Sequence, residues 1–299
     1  MSKEDQKGLL SRRCEEEQRV MITGASGQLA YDLQRVLGTN CRIFPLAKAD
    51  MDVTDQSSVN RWTERIRPDV VIHAAAYTRV DEAETNRDQA FRVNALGTRN
   101  VAVAAQKCGA KLVYISTDYV FDGNKKTPYH EFDIPSPINV YGVSKLYGEE
   151  WVKSFHEQFF IVRTSWLFGR KGTNFVKKIL ANAEKQRVLK VTQSEIGSPT
   201  YACDLAAFIK ELIGTEKYGI YHASNEGQCS RFEFAQTILQ EAGMSDVQVI
   251  PVLSEELRLQ AKRPQYSALE GMAARLEGLT PLRHWKQALS AFFQTDMKA

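Results

Sequence analysis

Residues 112–145 of this chain have the sequence LVYISTDYVFDGNKKTPYHEFDIPSPINVYGVSK. The stretch opens with a short apolar run, which is typical of a buried parallel strand. The run ends in three polar residues, Ser116, Thr117 and Asp118. Open α/β sheets place their ligands at the carboxyl ends of such strands. The stretch therefore predicts a strand that delivers polar side chains to a ligand site.

A helix is predicted to begin at the end of the same stretch, where Tyr141 precedes the helix formers of residues 146–155. Lys145 follows Tyr141 by four residues, so both side chains lie on one face of that helix. An ammonium beside a phenol is expected to lower the pKa of the phenol from about 10 and to prepare it for proton transfer. The alternative is a chance spacing on a helix surface.

A second motif precedes this stretch, at residues 24–30, which read GASGQLA. It follows a predicted strand at residues 19–23 and precedes a helical run, which is the order of a dinucleotide-binding turn. Gly24 and Gly27 let the backbone approach a pyrophosphate, and a helix N-terminus offers free N–H groups to an anion. Ala30 takes the place of the last glycine, and we expect this small residue to preserve the turn. The alternative is an ordinary strand-to-helix turn that binds nothing.

The predicted second strand, at residues 42–46, ends beside Lys48 and without a carboxylate. An acidic residue there would bind the adenosine ribose and repel a 2′-phosphate. The cation instead favours NADPH, with NADH possible. Asp52 and Val53 are candidates to border the adenine, although Asp52 or Thr54 would also serve as the cap of the next helix.

Repeated strand–helix units continue through residues 68–73 and 159–164 and then become less regular. This order predicts an α/β protein with a doubly wound parallel Rossmann sheet and a smaller C-terminal α/β substrate lobe. The predicted domain limits are a flexible extension at 1–18, a dinucleotide-binding domain at 19–168 to which 200–224 returns, and a substrate lobe formed by 169–199 and 225–299.

Composition excludes several classes of function. The 299 residues carry a net charge of +3 without a basic stripe, which argues against a nucleic-acid partner. The five cysteines are scattered and include no C-x-x-C motif, which is typical of a reducing compartment. With no apolar run near membrane-spanning length and no signal peptide, we predict a cytoplasmic protein without a membrane partner. His73 lies in an apolar run and is predicted to pack in the core.

Taken together, these motifs resemble the extended short-chain dehydrogenases/reductases and, in detail, the dTDP-4-dehydrorhamnose reductase family. The resemblance runs from about residue 19 to near the C-terminus. The more specific blocks are AAYTRVD (75–81), STDYVFDG (116–123), NVYGVSK (139–145), RTSW (163–166), NFVK (174–177), IGSPT (196–200) and RPQYS (263–267).

The resemblance implies a role for each matching residue. Tyr141 is the implied proton donor, and Lys145 and Thr117 assist it. Asp118 and Trp166, with Thr117, are implied to contact the sugar nucleotide. The predicted cofactor-binding set is Gly24, Ser26, Gly27, Gln28, Leu29, Asp52, Val53, Ala75, Ala76, Tyr77, Asn94, Tyr141 and Lys145. The implied reaction is reduction by NADPH of the 4-keto group of dTDP-4-dehydro-L-rhamnose, which gives dTDP-L-rhamnose.

Metal use and assembly are less specified. Some members of the family bind magnesium at a dimer interface through several glutamates. Asp32 would stand for one of them here, but residues 187–190 lack an acidic partner. We therefore predict no required metal, and a monomer or a homodimer.

Two alternatives compete with this hypothesis. One is a reductase or epimerase that acts on another nucleotide sugar. The other is a non-catalytic subunit that resembles the regulatory β subunit of methionine adenosyltransferase. Thr117, Tyr141, Lys145 and Trp166 occur together in this chain, which favours an enzyme because a pure binding subunit does not need them.

Overall fold

The structure, a computed structural model, describes residues 17–257 and 259–297. The extension predicted at residues 1–18 lies outside the described residues up to residue 16, and the first strand begins at Gln18. Within the described residues, no helix is both long and apolar enough to cross a membrane.

The strands of the described residues are short, as is usual in α/β proteins. They are β1 (Gln18–Thr23), β2 (Cys41–Leu46), β3 (Val70–His73), β4 (Lys111–Thr117), β5 (Phe159–Thr164), β6 (Leu167–Phe168), β7 (Val188–Thr192), β8 (Ile196–Gly197), β9 (Thr200–Tyr201), β10 (Gly219–His222), β11 (Cys229–Ser230) and β12 (Gln248–Val252).

The helices alternate with the strands along most of the chain. They are α1 (Gln28–Leu37), α2 (Gln56–Ile66), α3 (Val80–Thr85), α4 (Arg87–Phe91), α5 (Thr98–Cys108), α6 (Val140–Phe155), α7 (Phe175–Ala183), α8 (Ala202–Ile213), α9 (Arg231–Glu241), α10 (Met272–Leu276) and α11 (Trp285–Thr295). A π-helical segment, Arg92–Gly97, joins α4 to α5.

Six parallel strands form the main sheet in the order β2-β1-β3-β4-β5-β10. The chain moves outward from β1 to β2 and then returns to β3 on the other side of β1. A crevice opens at such a switch point, at the carboxyl ends of the strands, and doubly wound proteins bind their ligands there. The predicted Rossmann sheet is therefore confirmed.

Each face of this sheet has its own apolar core. On one face, α1 and α8 pack over side chains such as Val20 and Val113. On the other face, α2, α5 and α6 cover side chains such as Val71 and Leu112. The central strands are buried on both faces, which explains why their sequences are continuous apolar runs without alternation.

The C-terminal half of the chain has a separate apolar core, which includes Phe168, Phe234, Trp285 and Phe292. Its strands pair in twos, as β6 with β9, β7 with β12 and β8 with β11. Strand β10 joins the main sheet instead and pairs with β5. The domain limits given above stay a prediction.

The residue that caps α2 differs from the prediction. Helix α2 takes Asp55 as its N-cap, and the Asp55 side chain accepts a hydrogen bond from the Ser57 N–H. The expectation that Asp52 or Thr54 caps this helix is therefore wrong.

Candidate active site

The glycine turn after β1 is built for a close backbone approach. Gly24 has a φ of +68°, and a Cβ atom on it would lie 2.7 Å from the Ala75 Cα. The Gly27 N–H donates to the Gly24 carbonyl at 2.9 Å and so closes the turn. Gly27 is also the N-cap of α1, and among the described residues no side chain caps that end. The first N–H groups of α1 are therefore available to an anion such as a pyrophosphate.

A cavity of about 930 Å³ begins at this turn and runs along the carboxyl ends of the central strands. Its volume falls within the range usual for cofactor sites, about 300–1,000 Å³. The predicted site residues that line it are Gly24, Ser26, Gly27, Gln28, Leu29, Asp52, Val53, Ala75, Ala76, Tyr77, Thr117, Asp118, Tyr141, Lys145 and Trp166.

The acidic side chains at one end of the cavity are occupied by local contacts. The Asp52 carboxylate accepts from the Thr54 N–H at 2.9 Å and from the Thr54 hydroxyl at 2.8 Å. The Asp50 carboxylate accepts from the Ala47 N–H at 2.8 Å. Lys48 lines the cavity and is exposed. This end of the cavity therefore offers a cation to a ligand, as NADPH would require.

Asn94 differs from the other predicted cofactor residues because it is fully buried and does not line the cavity. It lies in the π-helical segment, and its side chain bonds both backbone groups of Tyr77, accepting from N at 2.7 Å and donating to O at 3.1 Å. It also donates to the Ser144 hydroxyl at 2.9 Å. Asn94 therefore supports the cavity wall at Tyr77, and its direct contact with the cofactor stays a prediction.

Helix α6 carries Tyr141 and Lys145 to the cavity. Asn139 is its N-cap and accepts from the Gly142 N–H at 2.8 Å, which fixes where the helix begins. The Lys145 Nζ donates to the Ile115 carbonyl at 2.7 Å and lies 4.1 Å from the centre of the Tyr114 ring. Lysine and tyrosine thus reach the cavity from one helical face, while Nζ is held by groups of β4.

The pKa values of the pair differ from the expectation. Burial raises the pKa of Tyr141 to about 12, although the Thr117 hydroxyl lowers it. Burial lowers the pKa of Lys145 to about 7, against the carboxylate of Glu149, which raises it. The expected lowering of the phenol pKa is therefore wrong, because burial raises the Tyr141 pKa by more than the Thr117 hydroxyl lowers it. A phenol that keeps its proton at neutral pH is suited to donate one.

Thr117 and Asp118 form a small buried network at the end of β4. The Thr117 hydroxyl donates to one Asp118 carboxylate oxygen at 3.1 Å, and the Ser267 hydroxyl donates to the other at 2.6 Å. Burial raises the pKa of Asp118 to about 6. Ser267 comes from the C-terminal part of the chain, so this contact links the two halves of the protein at the cavity.

Trp166 follows β5 with a φ of +45°, a strained value for a residue with a side chain. The Trp166 indole packs tightly against Gly197, because a Cβ atom on Gly197 would lie only 2.5 Å from the indole ring. The Arg231 guanidinium lies 3.5 Å from the centre of the Trp166 ring. The indole is therefore held firmly at the wall of the cavity, as a contact surface for a ligand requires.

Sequence reasoning missed several residues that shape this site. Thr164 and Ser165 line the cavity at the end of β5, and Gly172 and Thr173 line it from the loop that follows. Their position after a parallel strand was the available signal. The contact between Arg231 and Trp166 carried no signal, because 65 residues separate them (231 − 166 = 65).

Two buried polar groups that the structure describes outside the cavity, His73 and Asp32, have other partners. His73 is buried, and its two ring nitrogens lie 2.7 Å from the Thr23 hydroxyl and 3.1 Å from that of Thr98. Asp32 is also buried, and its carboxylate lies 3.1 Å from the Arg35 guanidinium. Among the described residues, no three His, Cys, Asp or Glu side chains lie close enough together to hold a metal ion. Independence from a metal stays a prediction.

The doubly wound sheet, the glycine turn and the Tyr141–Lys145 helix define a nicotinamide-dependent dehydrogenase/reductase of the short-chain type. The cavity brings the glycine turn and the Tyr141 phenol into one continuous space, and a dinucleotide fits this combination of groups.

Comparison with known proteins narrows this class. The family model described as the RmlD substrate binding domain matches residues 18–297. The spore coat polysaccharide biosynthesis protein SpsK of Bacillus subtilis (strain 168) is 40% identical over 282 residues, which cover 94% of this chain and 99% of SpsK. The dTDP-4-keto-6-deoxy-D-glucose reductase of Streptomyces niveus is 37% identical over 277 residues, which cover 92% of this chain and 96% of that protein.

A solved structure agrees with these relatives. The dTDP-4-dehydrorhamnose reductase of Bacillus anthracis str. Ames, in complex with NADP, superposes with a TM-score of 0.91 at 49% identity. The match covers 93% of this chain and 99% of that one. The chain belongs to the dTDP-4-dehydrorhamnose reductase family. The predictions of this family and of an NADPH-dependent reductase are confirmed.

The glycine turn leads to a first prediction. Replacing Gly24 by Ala adds a Cβ where only 2.7 Å separates it from Ala75, at a φ that favours glycine. We expect Gly24→Ala to weaken NADP⁺ binding by about tenfold or more, as measured by titration calorimetry. A displacement of the turn that costs about 1.4 kcal/mol of binding free energy already raises the dissociation constant tenfold.

Gly243→Ala is the matched control, because Gly243 has a φ of +69° with nothing within 4 Å of an added Cβ. It carries the same backbone strain outside the cavity. If Gly24→Ala binds NADP⁺ as tightly as the wild type does, the turn is not the pyrophosphate cradle.

Proposed function

We propose that this protein reduces the 4-keto group of dTDP-4-dehydro-L-rhamnose with NADPH and forms dTDP-L-rhamnose. The observation that carries the proposal is one continuous cavity that contains the glycine turn, Thr117, Tyr141 and Lys145. Membership of the family supplies the substrate class. The proposed setting is the cytoplasm, with the protein as a monomer or a homodimer.

The residues around the keto carbon have distinct roles in this proposal. When bound, the reduced nicotinamide supplies the hydride. Tyr141 donates a proton to the keto oxygen as negative charge develops there. Its pKa of about 12 keeps the proton on the phenol across the neutral range. Thr117 assists by hydrogen bonding to the phenol.

Lys145 serves the cofactor in this proposal. Its buried ammonium, held between the Ile115 carbonyl and the Tyr114 ring, donates to the ribose hydroxyls. An ammonium at this position also favours negative charge on the reacting oxygen, because the surrounding protein screens charges poorly. Lys145 is effective in its protonated form, so cofactor binding is expected to weaken as the pH rises through its pKa.

The sugar nucleotide is proposed to lie against Trp166 and Asp118. The indole offers a flat apolar surface that Arg231 holds in place. Asp118 reaches the cavity with a carboxylate that already binds Thr117 and Ser267, and it offers its remaining acceptor capacity to a sugar hydroxyl.

A second candidate substrate comes from one relative. The Streptomyces niveus protein is named for the reduction of dTDP-4-keto-6-deoxy-D-glucose. That sugar carries the same nucleotide and the same 4-keto group, so the proton donor and the cofactor site would serve it equally. The groups near Trp166 and Asp118 therefore have to distinguish the two sugars by their stereochemistry.

The test of the proposal is turnover by the purified protein of each 4-keto sugar nucleotide, with the loss of NADPH absorbance as the signal. We expect dTDP-4-dehydro-L-rhamnose to be reduced with the higher kcat/KM, and the product to be identified by NMR. Magnesium and a chelator are compared in parallel, and we expect neither to change the rate. Turnover of the glucose-derived sugar alone would replace the proposed substrate by the second candidate.

The proton donor is tested by Tyr141→Phe. Removal of the hydroxyl removes the proton source, so we expect kcat to fall by about 10² or more. NADPH affinity should change little. The control is Tyr147→Phe, which removes a hydroxyl from an exposed tyrosine of the same helix. Unchanged turnover in Tyr141→Phe would exclude Tyr141 as the donor.

Cofactor preference is tested at Lys48. Since Lys48 is exposed, its attraction for a 2′-phosphate is screened, and we expect Lys48→Ala to lower the ratio of kcat/KM for NADPH to that for NADH by roughly three- to tenfold. Kinetics with NADH alone should not change. Lys185→Ala, an exposed lysine outside the cavity, is the control. An unchanged ratio would assign the 2′-phosphate to other residues.

A further inference from the structure

A buried ion pair lies directly behind the active-site lysine. Glu149 follows Lys145 by one turn on α6, and its side chain is fully buried. One carboxylate oxygen accepts from the Ser116 hydroxyl at 2.5 Å and from the Arg163 Nε at 2.9 Å, while the other accepts from the Arg163 Nη2 at 2.6 Å. The pair therefore ties α6 to both β4 and β5.

The burial of these charges is costly for the fold. The Arg163 side chain is 2% exposed, and Lys145 is 2% exposed as a residue. Taking ions out of water costs free energy that their mutual attraction often fails to return, and apolar replacements of such pairs are frequently neutral or stabilising. Stability alone thus gives little reason for a carboxylate and a guanidinium here.

The surroundings of Lys145 show what the pair can do. The hydrogen-bond acceptor of its Nζ is a neutral carbonyl, and the Tyr114 ring of β4 lies beneath it. His73 of β3 faces it as a neutral ring, because burial and Lys145 together hold the His73 pKa near 3. Tyr141 on the same helix keeps its proton. The charge that favours the ammonium is therefore that of Glu149.

Arg163 competes with Lys145 for that charge. Two of its guanidinium nitrogens bind the Glu149 carboxylate, and a third lies 3.4 Å from the His222 Nε2. Burial and Arg163 lower the pKa of His222 to about 3, so that ring is neutral and does not balance the guanidinium. The Glu149 carboxylate is thus bound by Arg163, while Lys145 one helical turn away donates to the Ile115 carbonyl, so two buried cations lie near one anion.

We propose that Glu149 and Arg163 are positioning residues that together set the charge which Lys145 presents to the cofactor. This inference rests on the proposed role of Lys145 in cofactor binding. The Glu149 carboxylate favours the protonated form of Lys145, and the Arg163 guanidinium weakens this effect because it binds the same carboxylate. With both charges present their effects on Lys145 offset each other, whereas either charge alone would shift the pH at which Lys145 loses its proton.

The two members of the pair have opposite effects in this arrangement. Glu149→Gln removes the anion and leaves two cations, so Lys145 loses its proton at lower pH. Arg163→Gln releases the carboxylate to Lys145, which then keeps its proton to higher pH. A purely structural role would move both variants in the same direction, since each breaks the ion pair between Glu149 and Arg163.

The experiment measures the affinity for NADP⁺ by calorimetry as a function of pH, without any sugar nucleotide. In the wild type the affinity falls as the pH rises and Lys145 loses its proton. We expect the midpoint of this fall to move down by about one pH unit in Glu149→Gln and up by about one pH unit in Arg163→Gln. Arg163→Lys, which keeps the charge, should leave the midpoint near that of the wild type.

Two controls separate this effect from general destabilisation. Asp204→Asn breaks the ion pair with Arg283, which lies outside the cavity, and should not move the midpoint. The double variant Glu149→Gln/Arg163→Gln removes both charges of the pair, so neither member is left without its partner, and it serves if a single variant does not fold. Its midpoint should return to within about half a pH unit of the wild type.

The proposal is overturned if folded Glu149→Gln and Arg163→Gln shift the midpoint in the same direction or not at all. The proposal is also overturned if the midpoint of the double variant stays displaced from that of the wild type by about one pH unit. Because no sugar is present, a protein that fails to reduce the dTDP-sugar still gives a complete result here. The two proposals can therefore fail independently.

Discussion

Helix α6 lies so close to β4 and to the segment just after it that two of the helix residues have no room for a side chain. A Cβ on Gly148 would lie 2.2 Å from the Tyr114 hydroxyl, and one on Gly142 would lie 2.1 Å from the Tyr119 carbonyl. This contact decides where Tyr141 and Lys145 stand relative to the strand end. Any larger residue at either glycine would push the helix away from the crevice.

The same close contact explains the electrostatics of the site. Because α6 is pressed against the sheet, Lys145 and Glu149 are removed from water and Tyr141 is half-buried at the cavity. Desolvation then dominates the pKa values, and it raises that of the phenol and lowers that of the amine. Tyr141 thus keeps its proton, and the charge of Lys145 beside it depends on the neighbouring groups.

The C-terminal half completes the cavity through a few specific contacts. Ser267 binds Asp118, and Arg263 forms two hydrogen bonds of 2.6 Å with the Asp81 carboxylate. Arg231 packs its guanidinium against the Trp166 ring. Substrate selection is expected to depend on these contacts, since the cofactor side of the cavity is built by the Rossmann sheet alone.

The sequence by itself determined the sheet, the glycine turn and the helix that carries Tyr141 and Lys145, because each depends on local patterns of apolar, small and capping residues. The tertiary structure alone decided the pKa values, the place of Asn94 behind Tyr77, and the contacts of Arg231 and Glu149. These depend on burial and on residues far apart in the chain. Spacing shows that a phenol and an amine share a helical face, but only packing shows how little water reaches them.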